Sequence, residues 1–552
     1  MKQSSITLAL LLSGNLVHAA PAVKNSLENE HFGLYHASAF RLSSGPCADC
    51  QTSAQASWYF PEETIASPRL GTSVAGLDKN QSAQPDVRSW AAAPKLNDHP
   101  QLIWVGSSKV IEAARMAPDG KTVTLADGQL IDFVITPKIA TNLAYYNAST
   151  QQYYQQRPVR MRGELVQENG REKFIARTIW PKDFSLAADA PLQPLAQGES
   201  LKTLVRANQG GATSPFESRV LWERSPGTSR KWGQLSAIGV MLNGAQGDDD
   251  EAHGGHFAIA TGRYRSDGDW SNWLVNNFYN LDSYSEKGIV AAATPMDKYL
   301  MDLNSGQSFY RPSYMVVALL KDDRPAQMYQ GAINRVYNHL YRHDFSYNHS
   351  RNNCAGISVD TFQAMGWNIP LQGPSGYPKA IGAYAYVAAS EQSLEKGRQI
   401  YDYLTEDKTR LYPAVAFDVM GQDLLNMAQG KSTRPLTSYE QSLADNIEAL
   451  IFVRIPQIPS SRAMGLAPVF SFDEYMRQAP ADHSQWKTVP TAPRPFPEDL
   501  REGLALNPKS PSPLPAPVLG TGLVGGVVLL SAVKGIRRRK CTGKLASGSI
   551  NP

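Results

Sequence analysis

The stretches HGGHFAIATG at 253–262 and NNCAGISVDTF at 352–362 hold the residue types in this chain best suited to covalent chemistry. Cys354 stands where a loop runs into a helical pattern. Unpaired N–H groups and the helix dipole at such a start favour a thiolate over a thiol. His256 opens an apolar, strand-like run behind Gly254 and Gly255, and an imidazole there would take the thiol proton. Ala355 and Gly356 leave room for an acyl group beside the sulfur, and the N–H groups of Cys354 and its neighbours would hold an oxyanion. A third group must orient the imidazole. LVNNFYN offers Asn276, Asn277 and Asn280; in a strand Asn276 and Asn280 share one face and Asn277 takes the other. Asn277, near the middle of the strand, is the choice. His343 and His349, just before the cysteine, are rival bases. The plainer alternative is a buried apolar cysteine beside a structural histidine.

Other constellations compete. GDDDEAHGGH gathers Asp248, Asp249, Asp250, Glu251, His253 and His256, a donor set able to ligate a metal or simply to form a solvated acidic loop. Its spacing matches neither HExxH nor an EF-hand loop. Cys47 and Cys50 form CADC and read as a tight disulfide; a zinc site would need two more ligands, for which His31 and His36 lie upstream. SWYFPEE and RTIWPKDF carry aromatics that suit either core packing or a glycan platform. There is no GxSxG elbow and no Gly-rich phosphate loop.

These side chains need elements to hold them. Residues 100–190 alternate with period two between the turn signals PDG, ADG and ENG, which predicts a small all-β barrel or sandwich, an OB-like barrel being one option. Across 215–372, SAIGVML, HFAIATG, WLVNNFYNL and PSYMVVALL read as strands. PAQMYQGAINRVYNHLYR reads as a helix through Met328, Ala332, Val336 and Leu340. A second helix follows from Cys354 through Ile357, Phe362 and Met365 to a stop at Gly366. The block is therefore α+β. Residues 375–484, including SYEQSLADNIEALIFVRI, read as a helical region able to cover the central block, and 485–517 as a Pro-rich stalk.

Both ends carry targeting patterns. Residues 1–19 read as a secretory signal, leaving 20–99 as a loop-rich segment that contains CADC. At 518–540 an uncharged run from Val518 to Val533 precedes a basic cluster, which reads as a marginal membrane helix or a sorting tail with its charges in the cytoplasm. Lys2 and six residues of the last 35 account for seven of the 54 basic residues, so the chain between is slightly acidic against its 50 acidic residues. That excludes the electrostatic footprint of a nucleic-acid binder.

The order GHFAI, then a polar strand residue, then NC at a helix start resembles the circularly permuted papain-like hydrolases, such as the permuted NlpC/p60 and lecithin–retinol-acyltransferase-like groups, over about residues 220–370. The resemblance implies Cys354 as nucleophile, His256 as base and Asn277 as orienting group, with no cofactor. In some members the third group is a second histidine, which this strand lacks. The fold expected is multidomain α+β: an N-terminal all-β domain, a central permuted papain-like domain, a C-terminal helical region and a terminal membrane or sorting tail. The function expected is an exported cysteine hydrolase or acyltransferase of the bacterial periplasm or cell surface. It would be membrane-associated through its C-terminal segment and act on an amide, peptide or ester of the cell envelope. Two other readings stand beside it: a surface binding or adhesion protein with an inactive papain-like domain, and a metal-dependent enzyme built on the 248–256 loop.

Overall fold

The computed structural model describes residues 81–93, 109–135, 146–211, 213–244, 255–280, 289–302, 312–341, 347–459 and parts of 469–477, with six short strand segments before residue 104. The signal-like segment, CADC with Cys47 and Cys50, His31, His36, the acidic loop to His253, His343, the Pro-rich stretch and the apolar tail lie outside the described residues.

After helix α1 (Ala83–Ala91), five strands close into a barrel: β1 (Lys109–Met116), β2 (Thr122–Leu125), β3 (Leu130–Ile135), β4 (Val159–Glu168) and β5 (Arg171–Pro181). They close in the order β1-β4-β5-β3-β2, with β2 returning to β1; only β3 and β5 run parallel. The turn signals work as expected: Gly120, Gly128 and the pair Asn169–Gly170 all sit at positive φ.

The rest of the described chain is built on a seven-stranded antiparallel sheet. Its strands are β6 (Glu217–Glu223), β7 (Ser236–Asn243), β8 (His256–Arg263), β9 (Leu274–Asn280), β10 (Ile289–Pro295), β11 (Ser313–Leu320) and β12 (Ile447–Ile455). The order is β6-β12-β11-β7-β8-β9-β10. The central strands β7 and β11 are buried along their whole length because both faces are covered. Val240, Leu242, Phe257, Ile259 and Val316 face a helical layer, while Met241, Ala258, Ala260, Met315 and Val317 share a core with the barrel. The barrel, sheet and helices are thus three packed layers.

Besides α1, six helices matter here: α2 (Ala148–Gln155), α3 (Met296–Met301), α4 (Arg324–Tyr341), α5 (Cys354–Met365), α6 (Pro413–Ala428) and α7 (Ser438–Asn446). Met328, Ala332, Val336 and Leu340 of α4 are buried, as their spacing predicts. Gly366 ends α5 at φ 110°, a left-handed conformation that a side chain would strain.

The expected fold class needs correction. The class is mixed α+β, a five-strand barrel joined to one sheet. The barrel domain is not all-β, because α2, capped by Asn147, lies between β3 and β4. The helical region is not all helix: IEALIFVRI forms β12 between β6 and β11, while α6 packs into the same core as the sheet. The helical spacing read across 438–455 belongs only to α7. The β-branched residues Ile447, Ile451, Val453 and Ile455 favour a strand with both faces buried. No helix among the described residues is long and apolar enough to cross a membrane, so the expected membrane-spanning element is not part of the described fold.

Candidate active site

β8 and α5 bring the two stretches together. Gly255, at φ 72°, turns the chain into β8, so His256 is the first strand residue. β8 pairs with β7 from His256 onward, yet its ladder with β9 covers only Ile259–Thr261 against Leu274–Asn276. The two strands therefore leave their hydrogen-bonding register at the His256 end. At that end the backbone N–H of Phe257 acts on the Cys354 thiol and favours its ionised form.

Cys354 is the first residue of α5 and is buried. Asn353 caps the helix: its Oδ1 accepts the N–H groups of Ala355 and Gly356 at 3.0 and 3.1 Å. Its Nδ2 donates to the Leu411 carbonyl at 2.9 Å, which ties the cap to the chain just before α6. Stacking of Phe362 on Tyr329 of α4, 4.5 Å between centroids, fixes the other end. Such a pair is worth about 1 kcal/mol beyond its buried area.

The imidazole of His256 is held by Asn277. Its Nε2 contacts Asn277 Oδ1, and the same oxygen accepts the N–H of Phe278 at 2.7 Å. A backbone N–H can only donate, so the Asn277 atom is its oxygen and Nε2 of His256 must carry the proton. That tautomer leaves Nδ1 as the basic nitrogen for the thiol. Asn276 points the other way, into a buried network with Gln330 of α4 at 2.9–3.0 Å. The alternation of the strand thus separates the two asparagines. Asn280 has no described side chain.

Burial alone pushes the Cys354 thiol up. The charge and hydrogen bond of His256, the Phe257 N–H and the Tyr347 hydroxyl outweigh it and hold the thiol below its ordinary value. Tyr347 carries a second bond: its hydroxyl accepts the N–H of Cys354 at 3.3 Å. A hydroxyl can accept that N–H and donate to sulfur at once. The expected oxyanion donors are therefore all engaged within the chain, Cys354 N–H by Tyr347 and the next two by Asn353.

His349 is not brought to the thiol by any described bond; its ring lies edge-on to Tyr347 at 5.2 Å and its carbonyl accepts from Asn353. Sequence reasoning missed Tyr347, although a phenol seven residues before a nucleophile in the same loop was the available signal. It also missed the Phe257 N–H, because strand divergence leaves no mark on residue type. Of the acidic cluster only His256 falls among the described residues, and among these no group of three His, Cys, Asp or Glu side chains could hold a metal. Comparison with protein-family models, with curated proteins and with solved structures finds no match to this chain.

Proposed function

We propose that the protein is a cysteine-dependent hydrolase or acyltransferase acting on an amide, peptide or ester bond. The observation that carries this reading is a thiol at a helix start, hydrogen-bonded to an imidazole whose tautomer is set by an amide. The residue order shared with permuted papain-like hydrolases supports it. Cys354 gives its proton to Nδ1 of His256, and the thiolate attacks the carbonyl carbon. The substrate oxygen competes with Tyr347 for the Cys354 N–H as the tetrahedral adduct forms. Collapse breaks the C–N or C–O bond, and His256 passes its proton to the departing amine or alcohol. Water, or an acceptor alcohol or amine, then loses a proton to His256 and releases the acyl group from sulfur. The neutral Asn277 suits this buried pair, because thiolate and imidazolium cancel and a carboxylate would leave a net buried charge. With the export signal and the surface location read from the ends of the chain, a cell-envelope peptide or lipid ester is the substrate class.

A second reading, a binding protein with an inert thiol, draws on the burial of Cys354 at 3% exposure and on its engaged N–H groups. Site-resolved alkylation of Cys354 with iodoacetamide across pH, in the wild type and in His256→Ala, separates the two. The hydrolase reading expects reaction well below pH ~8.5, lost in the variant. Alkylation that awaits unfolding in both sinks it.

A further inference from the structure

The barrel shares a core with one face of the sheet, and its most heavily charged contact lies beside the candidate site. Asp297, the second residue of α3, is fully buried. It is gripped by two buried arginines of β4: Arg160 contacts Oδ2, and Arg162 Nε lies 2.9–3.0 Å from both oxygens. Asn272, just before β9, accepts from the same arginines at 2.8 and 2.9 Å. Backbone bonds add to the grip, since Met296 N–H donates to Trp273 and Asp297 N–H to Ser271. One turn of helix is thereby fixed to the barrel and to the start of β9 at once.

Tyr299 projects from that turn. Its ring centroid is 6.3 Å from that of His256, tilted 45°, and its hydroxyl donates to Asn243. Asn243 is the residue opposite His256 in the β7–β8 register, and its Nδ2 donates to Ser313 Oγ at 2.9 Å on the next strand. A polar row thus crosses β11, β7, β8 and β9 through Ser313, Asn243, His256 and Asn277, with Tyr299 laid against it. Asn277 fixes one nitrogen of the imidazole; the face of the ring needs its own support.

We infer that Tyr299 is a positioning residue for His256 and that the barrel, through Arg160, Arg162 and Asp297, holds Tyr299 in place. The barrel is then part of the construction of the site, not an independent recognition module. This inference rests on the thiol chemistry proposed above. Two cations meet at the joint, and Glu112, 3.1 Å from Arg160 Nε, adds a second carboxylate beside Asp297; the charge-assisted bonds of this cluster favour a fixed geometry.

The test is the pH profile of Cys354 alkylation in the full-length protein, read by peptide mass spectrometry so that Cys47, Cys50 and Cys541 do not contribute. At about pH 6.5 His256→Ala slows the reaction about tenfold. Tyr299→Met slows it about threefold and displaces the profile upward, because a loosened support costs rate without removing the base. Tyr299→Phe keeps the ring and recovers most of the loss, which a merely structural defect would not show. Arg160→Lys keeps the charge beside Asp297 but loses the fork, and shifts the profile in the same direction. Folded Tyr299→Met and Arg160→Lys with a wild-type profile, while His256→Ala is displaced, overturn the inference and leave the thiol chemistry standing. If Tyr299→Met does not fold, Arg160→Lys decides by the same criterion. A wild-type profile in His256→Ala overturns the thiol chemistry and this inference with it.

Discussion

Two imidazoles among the described residues, His256 and His339, sit in polar clusters built to opposite ends. His339 of α4 is buried, and its Nε2 lies 3.2 Å from Asp86 of α1. By type this is the better match to a catalytic pair, a histidine with a carboxylate. But Arg335 takes both oxygens of Asp86, at 2.6 and 2.8 Å, so the carboxylate is committed to an ion pair that fastens α1 to α4. His256 is oriented by an amide and faces a thiol at a helix start. On the proposed reading, the reactive pair is marked by what the imidazole can exchange a proton with. The strength of its orienting partner is secondary.

The sharpest break in that comparison is Cys354→Ala. It removes the nucleophile and should lower turnover of any ester or amide substrate by about 10⁴-fold or more while the melting temperature moves little. A variant that keeps its activity refutes the assignment. Next, His256→Ala should cost about a thousandfold in turnover. His339→Gln should leave turnover intact and lower stability by about 1–2 kcal/mol in denaturant titration. Equal effects on activity would erase the distinction between the two clusters.

Asp86→Asn should destabilise by about 3 kcal/mol, because Arg335 is left buried without its counter-charge. Burial pushes the Asp86 carboxyl up, but hydrogen bonds and charge from His339 and Arg335 bring it below the ordinary value. Its contribution is therefore complete above about pH 4 and is lost as pH falls through the lower folded value. The wild type should lose this increment of stability on acidification and the variant should not, which thermal melts between about pH 2 and pH 5 will read.

Asn277→Ala should slow turnover about tenfold, by freeing the tautomer that Phe278 and Asn277 now fix. Tyr347→Phe is the mildest change. Losing the donor to sulfur raises the thiol's proton affinity, and freeing the Cys354 N–H aids the oxyanion, so rates should move only about threefold either way. The alkylation profile, displaced to higher pH, is the decisive readout for that variant.

Much of this was legible in residue order. The five barrel strands were marked by period-two patterns and glycine turns, and α4 and α5 by apolar spacing with Gly366 as the stop. Asn277 was separable from Asn276 because strand neighbours face opposite ways. Residues 447–455 were misread because a short apolar run carries no period that tells a helix from a strand buried on both faces. Tyr347 was passed over because a loop has no period from which its aim could be read.

The sequence by itself determined the local chemistry: a thiol placed to begin a helix, a histidine placed to begin a strand, and turns wherever glycine permits positive φ. Those are short-range properties, set by neighbours a few residues away. Only the tertiary structure decided that the strand and helix starts coincide and that the backbone N–H of Phe257 acts on the sulfur. It also decided that Tyr347 covers the Cys354 N–H and that a barrel ending at Pro181, well before His256 in the chain, braces the far side of the imidazole. Contacts of that range depend on which faces bury against each other, and pairing across layers is a property of the packed whole.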